Sequence, residues 1–169
     1  MEDDLSRVFE ALEQSGAKYL VVGGVAVVLH GHPRFTADVD LVVALEPANV
    51  RAVLGAIAGL AYRPRAPVNV ADCADPKIRA SWVEEKGLTV FAFWSPLMPA
   101  TEIDLFVEEP FPFADGYARA VNVKLGSLTV SVASIDDLVA MKRVAGRPRD
   151  IEDVAALEAI RLGRARGER

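Results

Sequence analysis

A chain of 169 residues with 51% hydrophobic and 25% charged residues has the size and balance of one globular domain. Its net charge of −5 excludes a protein that coats nucleic acid non-specifically, because such binding rests on neutralising phosphates. Cys73 has no second cysteine to pair with, and His30 and His32 are too few for a Cys/His zinc cluster, so a metal would be held mostly by oxygen.

The acidic start at Glu2, Asp3 and Asp4 does not resemble a secretory signal, and no apolar stretch approaches the roughly 20 residues of a membrane span. The expectation is a cytoplasmic protein with no membrane contact. Leu5, Val8, Phe9 and Leu12 recur at helical spacing and predict an amphipathic helix from Asp3 to Ser15, stopped by Gly16. Tyr19 to Val22 is short and rich in β-branched residues, which predicts a buried strand. A tight turn at Gly23-Gly24 and a helix from Val25 to Leu29 follow. Beyond a loop at Gly31 to Thr36, Val39 to Val43 predicts a second strand, and Glu46-Pro47 opens a helix ending near Gly59.

Arg63 to Ala74 is proline-rich without a period and is assigned as loop. Asp75-Pro76 caps a helix ending at Gly87, strands are expected at Thr89 to Trp94 and Glu102 to Val107, and Gly126-Ser127 joins Val121–Leu125 to Leu128–Val132 as a hairpin. Ser134 and Asp137 form a capping-box variant opening a helix to Ala145. Gly146 and Pro148 end it, and Asp150 to Leu162 forms the last helix. The expected fold is a mixed α/β (α+β) single domain over 1–162, with mixed sheet, flanking helices, a helical C-terminal portion and a frayed tail over 163–169. Trp82 and Trp94 are assigned to the core, and His30 and His32 to loop or helix-end packing.

Alternation along a strand turns Asp38 and Asp40 to one side while Val39, Leu41 and Val43 enter the core. Two adjacent carboxylates repel unless a cation is shared or one is protonated, and a divalent metal resolves this. Asp104, between Ile103 and Leu105, supplies a third if its strand lies alongside; Glu102 shares its face and is the alternative. Three oxygens with open positions suit Mg²⁺. The glycine pair can bring backbone N–H groups to an anion at a helix N-terminus, a phosphate seat. Arg34 is either a surface charge or a bidentate phosphate contact.

Gly23-Gly24, His30-Gly31, Arg34, Thr36 and Asp38-Val39-Asp40, with Asp137-Leu138, Lys142, Ala145 to Pro148 and Asp150 to Asp153, resemble the polymerase β-type nucleotidyltransferases. The branch they resemble is that of the AbiEii-like toxins and minimal nucleotidyltransferases. The resemblance implies two Mg²⁺ ions on Asp38, Asp40 and Asp104, phosphate contact from Gly23 and Gly24, and triphosphate contact from Lys142, beside an acidic residue. The chain departs from the pattern at Gly24 and Ala37, where many members have serine; Thr36 is the candidate to replace the lost hydroxyl.

The implied activity is transfer of a nucleoside monophosphate from a nucleoside triphosphate (NTP), ATP among the candidates. The acceptor is a tRNA, protein or small-molecule hydroxyl, and an antitoxin-like partner is a further implication. Between Lys142 and Arg169 eight Lys/Arg stand against five Asp/Glu, which favours an anionic acceptor. The alternatives are a non-catalytic nucleotide- or partner-binding module of the same fold and, third, a metal-dependent phosphohydrolase.

Overall fold

The computed structural model describes residues 2–167. Seven strands form one mixed sheet with helices packed against it, one strand more than the sequence patterning predicts. In chain order the elements are α1 (Glu2–Ser15), β1 (Tyr19–Val22), α2 (Gly23–Leu29), β2 (Asp38–Val43), α3 (Pro47–Gly59), β3 (Arg63–Pro64), a 3-10 helix (Val70–Ala74) and α4 (Pro76–Lys86). They continue with β4 (Val90–Trp94), β5 (Glu102–Phe106), α5 (Phe113–Ala118), β6 (Val121–Leu125), β7 (Leu128–Val132), α6 (Ile135–Ala145) and α7 (Pro148–Ala165). The strand order is β3-β4-β5-β2-β1-β7-β6. β2 runs antiparallel to β1 and parallel to β5, while β4 runs antiparallel to β5.

Local chemistry explains most boundaries. The Asp75 carboxylate caps α4 by accepting from the Lys77 N–H at 2.8 Å, and Gly87 ends that helix in the left-handed region. Ser134 accepts from the Asp137 N–H at 3.1 Å and so opens α6. One core joins both helical groups to the sheet: α1 packs on α3, α3 and α4 on the 3-10 helix, and α6 on α7 and α2.

Several expectations change. Arg63 to Ala74 holds a two-residue edge strand and a 3-10 helix instead of plain loop, because Arg63 and Pro64 pair with Trp94 and Phe93. The glycines of Gly23-Gly24 are the first residues of α2, with no separate turn before it. α5 lies where no element was expected. α7 begins at Pro148 and continues to Ala165, so the first residues of the expected frayed tail are helical, while 168–169 lie outside the described residues. Trp82 is buried and stacks on Phe91 with ring centroids 5.3 Å apart, but Trp94 is 39% exposed because the face of β4 that carries it is uncovered. Among the described residues no helix is long and apolar enough to cross a membrane.

Phe91 is sandwiched on the covered face between Trp82 and the edge of Phe93. Phe91→Ala should therefore lower unfolding free energy by about 3–5 kcal/mol, the usual cost of a truncated core aromatic, measured by urea denaturation.

Candidate active site

The register of the central strands builds the site. Asp40 stands opposite Asp104 and Asp38 opposite Glu102 across the parallel β2–β5 pair, so four carboxylates leave one face of the sheet in two adjacent rows. Val39, Leu41, Ile103 and Leu105 fill the other face and are buried. Glu102 is withdrawn from the group: Arg65 grips it through a two-pronged contact, with Nε donating to Oε2 at 2.8 Å and Nη2 to Oε1. Asp38, Asp40 and Asp104 remain, all on the wall of a cleft of about 1120 Å³ between this face and α6.

The three carboxylates act on one another. Burial, then the charges of Asp104 and Asp38, push Asp40 up from the ordinary carboxylate range to about 6, against the Gly24 N–H and Lys142, which pull it down. Burial and then Asp38 and Glu102 also raise Asp104. Among the described residues no three acidic, histidine or cysteine side chains already converge tightly enough to form a closed ligand set. The arrangement is instead an open acidic face, a donor type that suits a hard cation keeping water and phosphate among its ligands.

The glycine pair is dictated by its neighbours. Gly23 has φ +62°, and a Cβ there would overlap the Asp40 carboxylate. At position 24 a Cβ would overlap Thr36 Oγ1 and Arg34 Nη2. The Thr36 hydroxyl therefore occupies the space that a side chain on residue 24 would fill. The Gly24 N–H faces the Asp40 carboxylate, so this amide, expected at a phosphate, is directed at the carboxylate.

Opposite the glycines sits a buried charge cluster. Lys142, 6% exposed, donates to Asp153 at 2.6 Å and Asp150 at 3.3 Å. Asp153 also meets Arg34 Nε at 3.1 Å, and Arg147 Nε donates to Asp150 at 2.7 Å. Arg34 is thus a tethered group and not a loose surface charge. Burial acts to raise Asp150, but hydrogen bonds from Arg147 and Lys142 outweigh it and hold its carboxyl low. Of the basic stretch Lys142 to Arg149, Lys142, Arg143 and Arg147 have acidic partners, the two arginines staying 64% and 75% exposed, and Arg149, on the cleft wall, is the member of the four without one among the described residues.

His30 belongs to the framework. Its Nε2 lies 2.8 Å from the Ala133 carbonyl, which can only accept, so Nε2 carries the proton; burial lowers its pKa and favours the neutral ring. Arg164 donates to the His30 carbonyl at 3.0 Å and ties α7 to the end of α2. Sequence reasoning did not find Arg65, which holds Glu102 aside, nor the apolar stretch of the cleft formed by Val90, Phe106, Leu138 and Met141, whose helical or strand periodicity reads as core.

The model of the family described as Nucleotidyltransferase of unknown function (DUF6036) matches residues 3–162. The chain belongs to this family. Two solved structures of nucleotidyltransferases share its fold. The lincosamide antibiotic adenylyltransferase LnuA, determined with lincomycin, is 13% identical with a TM-score of 0.65 over 95% of this chain and 98% of its own. ANT(2″)-Ia, in complex with adenylyl-2″-tobramycin, is 13% identical with a TM-score of 0.61 over 97% of this chain and 94% of its own. No curated protein sequence matches significantly. The family is the nucleotidyltransferase superfamily expected, though the AbiEii-like branch is not what the match identifies.

The raised carboxyl of this nucleotidyltransferase has a pH consequence. Asp40 holds a proton more tightly folded than unfolded, so its contribution to stability is full below the ordinary pKa of 3.8 and is lost as pH rises through about 6. Without metal, Asp40→Asn should be more stable than wild type by about 2 kcal/mol at pH 7.5 and show no advantage at pH 3.5, measured by chemical denaturation at both pH values.

Proposed function

We propose that the enzyme transfers the nucleoside monophosphate of an NTP, with ATP favoured, to a hydroxyl of a small molecule, releasing pyrophosphate. The observation that carries this reading is the in-register pair Asp40 and Asp104 with Asp38 beside them, three mutually repelling carboxylates next to a glycine-started helix. Asp38, Asp40 and Asp104 would hold Mg²⁺, two ions by family resemblance. Bound there, the metal would offset phosphate charge and sharpen the electrophilic phosphorus.

The protein's own groups supply the rest. Arg34 and Thr36, pressed against Gly24, present a guanidinium and a hydroxyl to the phosphates, with Gly23 and Gly24 providing the close approach. Lys142, fixed by Asp150 and Asp153 and near enough to Asp40 to lower its pKa, offsets charge building on the leaving pyrophosphate. In the transfer the acceptor oxygen forms a bond to the α-phosphorus as the bridging bond to the β-phosphate breaks. Pyrophosphate leaves with the electron pair, and the hydroxyl proton passes to Asp104.

A small-molecule acceptor is favoured over tRNA because Lys142, Arg143, Arg147 and Arg161 are each paired with an acid, which thins the basic stripe that a polynucleotide would follow. That two proteins of the same fold are an antibiotic adenylyltransferase and a complex with an adenylylated antibiotic supports the same choice. A toxin-type role with an antitoxin-like partner rests on motif resemblance, and the geometry adds nothing to it.

The test uses α-labelled ATP, Mg²⁺ and cell extract. Wild type should yield labelled product and pyrophosphate, and Asp38→Ala with Asp40→Ala should lose at least a thousandfold in rate, in keeping with losing the metal seat. Transfer at wild-type rate by the double variant overturns the mechanism.

A further inference from the structure

On the face of the sheet beyond Asp104, the side chains of β4 are only half-buried at Ala92 and exposed at Trp94. On β4, Ala92 stands opposite Asp104, and the same register continued two residues along brings Trp94 across from Glu102. Arg63 pairs with Trp94 from β3, and the Arg65 N–H donates to the Ala92 carbonyl at 3.0 Å. Alternation places Ala92, Trp94, Glu102 and Asp104 on one side. The result is a ledge leading away from the carboxylates: a methyl group beside Asp104, then an indole 39% exposed, edged by the Arg65–Glu102 pair with side chains 54% and 33% exposed.

The direction of the reaction gives the ledge its role. The groups suited to hold pyrophosphate, Arg34 and Lys142, stand on the β1 and α7 side of Asp40. Phosphoryl transfer requires attacking and leaving oxygens roughly in line, so the acceptor must arrive from the opposite side, past Asp104 over β4. The small side chain of Ala92 leaves room for it. We infer that Trp94, with the Arg65–Glu102 pair, forms the acceptor subsite, and that the acceptor is a hydroxylated ring which stacks on the indole while the paired guanidinium and carboxylate bond its remaining hydroxyls. This rests on the proposed transfer reaction. An indole face offers stacking area at little entropic cost, and an Arg–Glu pair offers both donors and acceptors, as a polyol ring requires. The ring hydroxyl nearest Asp104 is the one that attacks the α-phosphorus, its proton passing to Asp104 as pyrophosphate leaves with the electron pair of the bridging bond.

The experiment uses the full chain, α-labelled ATP, Mg²⁺ and, as acceptor source, the fraction of a cell extract that passes a 3-kDa filter. Wild type is expected to label a product from this fraction. Trp94→Ala is expected to raise the half-saturating amount of the fraction at least tenfold, with Trp94→Phe recovering most of the loss. Affinity for a non-hydrolysable ATP analogue with Mg²⁺, measured by calorimetry, should be unchanged in both variants, which separates loss of acceptor binding from loss of fold. Equal labelling by Trp94→Ala overturns the ledge, as does product formed only from the retained macromolecular fraction. Analogue binding by wild type without transfer to either fraction overturns the transfer reading itself, and the ledge with it.

Discussion

Repulsion between carboxylates that the sheet will not let separate is the constraint on which the site depends. Parallel pairing of β2 and β5 places Asp40 and Asp104 side by side, and the buried Val39, Leu41, Ile103 and Leu105 behind them prevent either strand from sliding. A slip of one residue would turn every one of these side chains to the wrong face. The core thus holds the two acids in an arrangement that is unfavourable when empty. A cation held there would relieve that repulsion, so that a rigid framework would turn packing into affinity.

The same cleft contains the opposite arrangement on its other side. Asp153 is shared between Arg34 and Lys142, and Asp150 between Lys142 and Arg147, so acid and base are already satisfied. Buried pairs of this kind add little net stability, but breaking one leaves an uncompensated charge and costs about 3–5 kcal/mol. Their effect is positional. Through Asp153 the C-terminal helix fixes the loop before β2 against the start of α2, and through Arg164 and His30 it holds the end of that helix as well.

How much of this was legible follows from where each signal lies. The strands β1, β6 and β7 are short β-branched runs bounded by glycine or polar turns, and their limits can be read in the sequence. The paired spacing of Asp38 and Asp40 was legible for the same reason. α5 was not, since Phe113 to Ala118 has no apolar period, and Gly116 within it is explained only by the Phe111 ring lying where its Cβ would be. Nor could the partners of Lys142 be read with certainty, because they are 8 and 11 residues away and meet it only once α6 and α7 fold together. Trp94 was misassigned because a tryptophan in a strand is usually covered, and whether a face is covered depends on strand order, which local pattern does not contain.

The crowding around Gly24 restricts the routes by which this enzyme can diverge from its relatives. With the Thr36 hydroxyl and the Arg34 guanidinium filling the volume that a Cβ at 24 would need, a side chain can enter there only if those two side chains move. The positions are coupled: a larger residue at 24 competes with both Thr36 and Arg34 for the same space. The loop hydroxyl of Thr36 and a side chain at 24 thus exclude one another in this packing, whatever acceptor the enzyme uses.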